Sequence, residues 1–202
     1  MKNLLNSFRL YLNGYKRPSK KANMRKLHER GETIDSFTFR DATKEDIPEL
    51  AALHVKTWAD TYWTVMFPPT FKVREYQWRK IFSQENDGSW FCILIVDKKN
   101  KLVGFAKGKT YKHSDLPEFS GELNKIYLLS NYQRIGLGRK LLGFVARRFL
   151  GKGINNMVLF GTAQNPSCAF HEAMGGERLY AKNGEFHGGY CWRDLKSLLP
   201  IE

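Results

Sequence analysis

The apolar residues of this chain recur in short blocks whose spacing is that of a strand or of an amphipathic helix. Blocks that alternate, or that stay apolar over a few residues, predict seven strands. These strands are Phe37–Arg40, Trp90–Val96, Leu102–Tyr111, Glu122–Leu129, Met157–Ala163, Leu179–Lys182 and Gly189–Trp192. Helical spacing predicts four helices, which begin after Thr43, after Pro68-Pro69, in the glycine-containing loop at 133–138 and at Pro166. The resulting order of elements predicts a mixed α/β sheet with helices on both faces.

Residues 1–35 have a different pattern and predict a basic N-terminal extension, partly helical or flexible, ahead of a single domain over residues 36–202. Residues 1–30 hold nine Lys or Arg against one acid, Glu29, and so contribute +8 of the formal charge of +13. This extension is either a short peripheral surface helix with a solvated tether, or an arm for a membrane surface, for nucleic acid or for organelle targeting. A start at Met24 would remove it.

The composition is that of a folded protein, with 42% hydrophobic and 14% aromatic residues. No apolar run approaches the roughly 20 residues that cross a bilayer, and the first residues lack a signal-peptide pattern, so we expect a cytoplasmic protein. The three cysteines, Cys92, Cys168 and Cys191, have no metal-ligand spacing. We expect them to be reduced and structural, and we expect no metal site.

The most informative stretch is Tyr132-Gln133-Arg134-Ile135-Gly136-Leu137-Gly138-Arg139-Lys140, between a predicted strand and a predicted amphipathic helix. Unpaired N–H groups and the dipole at the start of a helix attract an anion. Gly136 and Gly138 allow the main chain to approach that anion closely. The basic side chains of the loop add positive charge; they are Arg134, Arg139 and Lys140. The loop therefore predicts a pyrophosphate site, and the alternative is an ordinary glycine-containing turn before a helix.

Two familiar phosphate loops do not fit this spacing. A Walker A loop needs Gly-Lys followed by Ser or Thr, whereas Gly138 is followed by Arg139-Lys140-Leu141. A dinucleotide fingerprint needs a third glycine at the position of Leu141, and it belongs to the first strand-turn-helix unit of a domain. The loop is therefore neither a Walker loop nor a Rossmann fingerprint.

The stretch Gln133-Arg134-Ile135-Gly136-Leu137-Gly138 resembles the signature of the GNAT acetyltransferase superfamily, which is Arg or Gln, two residues, Gly, any residue, then Gly or Ala. Residues 122–129 look like the family's fourth strand, and residues 165–176, from Asn165 to Gly175-Gly176, look like its late helix. Leu53-His54-Val55-Lys56-Thr57-Trp58 through Tyr62 resembles a large, mostly uncharacterised branch. The resemblance covers Phe37 to about Leu195 and implies a mixed, largely antiparallel sheet of about seven strands flanked by helices on both faces.

The resemblance implies an N-acetyltransferase that moves an acetyl group from acetyl-CoA to a primary amine of a small molecule or peptide, by direct attack in a ternary complex. In the family the fourth strand splays from the fifth, and its open edge pairs with the pantetheine arm while the glycine loop holds the pyrophosphate. The positions of this chain that match the family's acetyl-CoA contacts are Ile126, Tyr127, Leu128, Gln133, Arg134, Ile135, Gly136, Leu137, Gly138, Arg139, Asn165 and Phe170.

Transfer to an amine requires loss of a proton, because a lysine-like amine has a pKa near ~10.4. Glu122 matches the acid that often activates a water in the family and is the candidate base; otherwise it is an exposed acid at a strand end. Glu45 and Asp60 are weaker alternatives. Many relatives protonate the departing thiolate with a tyrosine, but His171 stands at that position. His171 can donate if its surroundings keep it protonated, and the other candidates are Tyr180, Tyr127 and Tyr111.

The acceptor side in the family is formed by the first helices, where Trp58 and Tyr62 are candidate substrate contacts or else core residues. The net positive charge argues against a polyamine and leaves amino acids, small amines, antibiotics and protein amino groups open. Two other classes of function also remain open. One is a non-catalytic acyl-CoA sensor or partner subunit, and the other is an RNA- or ribosome-associated protein that uses residues 1–30. The chain is expected to be a monomer or a homodimer.

Overall fold

The computed structural model describes residues 19–62, 67–83 and 87–200. All seven predicted strands are present; they are β1 Thr38–Asp41, β2 Trp90–Val96, β3 Leu102–Thr110, β4 Gly121–Leu128, β5 Met157–Leu159, β6 Glu177–Tyr180 and β7 Phe186–Trp192. They form one sheet in the order β1-β2-β3-β4-β5-β7-β6. Every neighbouring pair is antiparallel except β4 and β5. The mixed, largely antiparallel sheet is confirmed.

Helices cover both faces of this sheet, as predicted. In the described part of the chain the α-helices are α1 Lys20–Glu29, α2 Ile47–Thr61, α3 Phe71–Ser83, α4 Leu137–Leu150 and α5 Cys168–Ala173. The capping box ahead of α2 forms, since the N–H of Thr43 bonds to Asp46 over 2.8 Å. Helix α5 begins at Cys168, two residues later than the predicted start at Pro166.

Two apolar clusters lie on opposite faces of the sheet. On one face α4 buries Leu141, Val145 and Phe149 against β2, β3 and β4. On the other face α2 and α3 bury residues that include Leu50 and Trp78 against the same central strands. Because side chains alternate along a strand, β4 contributes to both clusters and lies in the middle of the molecule. The candidate site described below lies at this strand.

Helix α1 belongs to the basic extension, yet it packs on the domain. Leu27 is 1% exposed and lies in the cluster under α4, and Asn23 is 4% exposed. The guanidinium of Arg30 lies 4.7 Å from the ring centre of Tyr132. Helix α1 is therefore packed against the domain through its buried side, and the division of the chain at residue 36 stays a prediction. The remainder of the extension, up to residue 18, lies outside the described residues.

Within the described ranges, no helix is long and apolar enough to cross a membrane. The three cysteines are free thiols. Cys92 and Cys191 are buried, and burial raises the pKa of both thiols, which suits small core residues. No cluster of potential metal ligands occurs in the same part of the chain.

Candidate active site

A cleft opens where β4 and β5 part. The two parallel strands pair only at Gly121 with Met157 and at Glu122 with Val158. β5 then ends at Leu159, whereas β4 continues to Leu128, so no described strand pairs with β4 on that side after Glu122. The cleft has a volume of about 440 Å³ and is lined by residues of β4, the start of α4 and the α5 region. An extended, amide-bearing chain can pair with such an open strand edge.

The glycine loop forms the end wall of this cleft. Gly136 caps α4 with a φ of 99°, and Arg134 has a φ of 65°, both in the left-handed region. The backbone therefore turns sharply before the helix, and the N–H groups of the first helical turn have no acceptor inside the helix. Arg134 and Arg139 are exposed and line the cleft. Lys140 instead forms an ion pair with Asp35, with Nζ 2.5 Å from Oδ1.

Close packing at the start of α4 explains why residue 138 is a glycine. A Cβ atom at Gly138 would lie 3.1 Å from the ring of Phe170, which stands on α5 across the cleft. The side chain of Gln133 ties the loop to the open strand, because its Nε2 donates to the carbonyl oxygen of Leu128 over 2.9 Å. The open strand edge, the free N–H groups and the two arginines suit the amides and the pyrophosphate of acetyl-CoA.

Most of the residues expected to contact the cofactor line this one cleft. They are Ile126, Tyr127, Leu128, Gln133, Arg134, Gly136, Gly138, Arg139, Asn165 and Phe170. Ile135 and Leu137 are different, because their side chains are 3% and 0% exposed in the core under α4. Only the backbone of these two residues is available to a bound phosphate.

Glu122 is buried at the end of β4 that still pairs with β5, and it does not line the cleft. Each of its two carboxylate oxygens has one partner. Oε2 lies 3.0 Å from Nζ of Lys109, and Oε1 accepts a hydrogen bond of 2.6 Å from Nδ2 of Asn124. Asn124 does line the cleft, so Glu122 reaches it only through this neighbour. The two weaker candidates lie elsewhere, since Glu45 is exposed near β1 and Asp60 pairs with Lys56 on α2.

His171 lines the cleft but is 3% exposed, among the rings of Phe170, Tyr190 and Trp192. Burial lowers the pKa of His171 to about 4, so its ring is neutral at pH 7. Its Nε2 is 3.2 Å from Oγ of Ser167, and its Nδ1 has no partner within the described structure. The surroundings therefore do not keep His171 protonated, which was the condition for its expected role as an acid.

A tyrosine hydroxyl occupies the cleft instead. The oxygen of Tyr62 accepts a hydrogen bond of 2.9 Å from Nδ2 of Asn165, and both residues line the cleft. Tyr127 lines the same cleft, and burial raises the pKa of both hydroxyls. Trp58 packs against Tyr62, with ring centres 5.0 Å apart, but lies behind it rather than in the cleft wall.

The other two candidate donors lie outside the cleft. Tyr180 is 60% exposed on β6, and Tyr111 packs against Phe160 with ring centres 5.8 Å apart. Sequence reasoning missed Asn124 and Lys125, which line the cleft from β4. The signal was a polar pair between the apolar residues Leu123 and Ile126 of the strand.

Comparison with known proteins agrees with this geometry. Residues 52–176 match the family model described as "Acetyltransferase (GNAT) family". The chain is 32% identical over 171 residues to the "Uncharacterized N-acetyltransferase YuaI" of Bacillus subtilis. The aligned region covers 81% of this chain and 97% of that protein.

Two solved structures with a similar fold contain the cofactor. One is the PaiA N-acetyltransferase of Thermoplasma acidophilum in complex with coenzyme A, with a TM-score of 0.64, 20% identity and coverage of 77% of this chain and 98% of that chain. The other is a phosphinothricin acetyltransferase of Sinorhizobium meliloti in complex with acetyl-CoA, with a TM-score of 0.54, 20% identity and coverage of 77% and 86%. At these identities the likeness concerns the fold.

Proposed function

This chain belongs to the acetyltransferase (GNAT) family, with acetyl-CoA as its acetyl donor, and we propose that it acetylates a primary amine of a small molecule or peptide by direct attack in a ternary complex. The observation that carries the proposal is the parting of β4 from β5 beside a helix start with free N–H groups. When bound, acetyl-CoA supplies the acetyl group as a thioester.

The loop and strand residues would hold the donor. Arg134, Arg139 and the N–H groups from Gly136 onward would bind the pyrophosphate. The open edge of β4 at 126–128 would pair with the pantetheine amides, and Asn165 and Phe170 would form the opposite wall. Ile135 and Leu137 hold the loop in place by packing into the core.

Tyr62 is the proposed proton donor. Its oxygen accepts a hydrogen bond from Asn165, so that its own O–H is free to donate into the cleft. Burial raises the pKa of this hydroxyl, which therefore carries its proton at neutral pH. His171, neutral at that pH, is assigned to the packing of α5.

Glu122 stays the proposed base, although it does not line the cleft itself. A bound amine must lose a proton before it attacks, and this buried carboxylate reaches the cleft through Asn124. The amide of Asn124 donates to Glu122 and does not relay a proton, so a water that hydrogen-bonds directly to the carboxylate would carry that proton to it. The engagement of Glu122 with Lys109 fixes its position.

The experiment that tests the function is acetyl-CoA calorimetry, followed by an amine screen for release of CoA. The variant Gly136→Glu, Gly138→Glu fills the loop, and Arg134→Gln, Arg139→Gln removes its charge without adding a side chain to a glycine. Arg147→Gln, exposed on the same helix α4, is the matched control. We expect micromolar binding by the wild type and the control, and loss of binding by both loop variants with circular dichroism unchanged. No binding by folded wild type would refute the proposal.

A further inference from the structure

Two lysines face each other across the centre of the sheet. In the antiparallel pairing of β3 and β4, Lys107 lies directly opposite Lys125, so both side chains point to the face that α2 and α3 cover. Like charges directly opposite each other destabilise a strand pair. Lys107 is only 7% exposed, and the pairing register shifts right after it, between Lys107 and Gly108.

Arg74 of α3 brings a third positive charge to the same place. Its charge acts on Lys125 and on His54, and it lies near Tyr127. Its guanidinium is 5.8 Å from the ring centre of Trp58, and its buried Nε has no hydrogen-bond partner in the described part of the chain. Burial lowers the pKa of all three side chains, that of Lys125 to about 8.

The one carboxylate close to this group is already engaged. Glu122 forms an ion pair with Lys109 and accepts a hydrogen bond from Asn124. Among residues 19–62, 67–83 and 87–200, Lys107, Lys125 and Arg74 make no ion pair. The ammonium group of Lys125 bonds only to the neutral Oδ1 of Asn124, over 2.9 Å. The protein thus keeps three buried or half-buried cations beside one carboxylate, that of Glu122, which acts on Lys107 and Lys125 but is already paired with Lys109.

We propose that Lys107, Lys125 and Arg74, named here the cationic cluster, bind an anionic oxygen group of the acceptor, so that the acceptor is an amine carrying a carboxylate or a phosphonate. This inference rests on the proposed function. Lys125 is the member of the cluster that lines the cleft, beside Tyr127, whereas Lys107 and Arg74 do not line it; an anion bound at Lys125 would leave the amine of a short molecule near Tyr62. A carboxylate or phosphonate would balance charges that otherwise only destabilise the fold.

The closing experiment compares matched amines. Amino acids are assayed against their carboxamides, and aminoalkylphosphonates against the corresponding amino alcohols, with rates corrected for the fraction of unprotonated amine. We expect wild type to prefer at least one anionic series over its neutral partner by at least tenfold in kcat/KM. Arg74→Gln and Lys125→Gln should reduce that ratio at least tenfold, whereas Lys72→Gln, exposed on the same helix as Arg74, should keep it.

Each other outcome is decisive. Equal rates for anionic and neutral amines, or a ratio unchanged in Arg74→Gln and Lys125→Gln, overturn the inference and leave the proposed function standing. A changed affinity for acetyl-CoA with an unchanged ratio also overturns it, since the cluster would then serve the cofactor. If no amine is acetylated, calorimetry of the same compounds with the CoA-bound protein tests the anion site alone, and binding of acids but not of amides supports it.

Discussion

The side-chain amide of Asn23 donates a hydrogen bond of 2.9 Å to the carbonyl oxygen of Gln133, the first residue of the glycine loop. The same amide nitrogen donates to the carbonyl oxygen of Ser130 over 2.8 Å. Helix α1, which the sequence placed in a peripheral extension, therefore holds the loop that is proposed to bind the pyrophosphate. Ile34 adds a second contact, because a Cβ atom at Gly136 would lie 3.2 Å from its Cδ1.

Asn23→Ala should weaken both the fold and the cofactor site. It leaves two carbonyl oxygens without their donor, at a cost of about 1–3 kcal/mol in the free energy of unfolding. Because the loop loses these two hydrogen bonds, we expect the Kd for acetyl-CoA to rise several-fold. Urea unfolding and calorimetry measure the two effects, and Lys21→Ala, exposed on the same helix, is the control. An unchanged Kd would show that α1 supports the fold without supporting the loop.

The hydrogen bonds from Asn23 to the loop are contacts that the sequence could not predict. The strands and the glycine loop follow from local periodicity and from residues such as Gly136, so they were predicted to within a few residues. The contact between Asn23 and Gln133 joins positions far apart in the chain, and no local pattern signals it. The burial of His171 likewise depends on Tyr190 and Trp192, which arrive from β7.

Arg134→Asn should separate charge from backbone strain in the loop. Arg134 has a φ of 65°, a conformation that Asn adopts more readily than Arg. We therefore expect the free energy of unfolding to stay equal or to rise by a few tenths of a kcal/mol, while affinity for acetyl-CoA falls about tenfold because a charge-assisted contact is lost. Chemical denaturation and calorimetry report the two quantities. Unchanged affinity would remove Arg134 from the proposed pyrophosphate site.

The same substitution at two lysines of β3 should have opposite effects on stability. Lys107→Met removes a buried charge that faces Lys125, and we expect the protein to gain about 1 kcal/mol at pH 7. Lys109→Met leaves the buried Glu122 without its ion-pair partner and should destabilise the protein. Urea unfolding of the two variants gives the comparison. A loss of stability in Lys107→Met would show that the lysine is structural.

The stability of the protein should fall in mild acid because of two buried histidines. Burial lowers the pKa of His54 to about 3 and that of His171 to about 4, from an ordinary value of 6.5, and Arg74 and Lys125 further disfavour the charged form of His54. The unfolded chain then binds more protons, so the stabilisation is complete above pH 6.5 and is lost as pH falls towards 4. Each histidine should contribute a slope of about 1.4 kcal/mol per pH unit.

Denaturant unfolding between pH 4.5 and 6.5 measures that slope. His171→Gln removes one of the two buried histidines, so its curve should be less steep than that of the wild type by up to about 1.4 kcal/mol per pH unit over this range. Identical slopes in wild type and His171→Gln would mean that this ring takes up a proton in the folded protein as readily as in the unfolded chain, and would restore His171 as a candidate acid.

Removal of the Tyr62 hydroxyl should slow the reaction without abolishing binding of the donor. Loss of a positioned proton donor costs on the order of 100-fold in kcat, and the ring of Tyr62 remains to pack against Trp58 in Tyr62→Phe. The Kd for acetyl-CoA should change little, because the loop and the open edge of β4 are intact. Tyr111→Phe removes a hydroxyl outside the cleft and should match the wild type. If Tyr62→Phe retains more than half of the wild-type kcat while Tyr127→Phe does not, the proton comes from Tyr127, the neighbouring hydroxyl in the cleft.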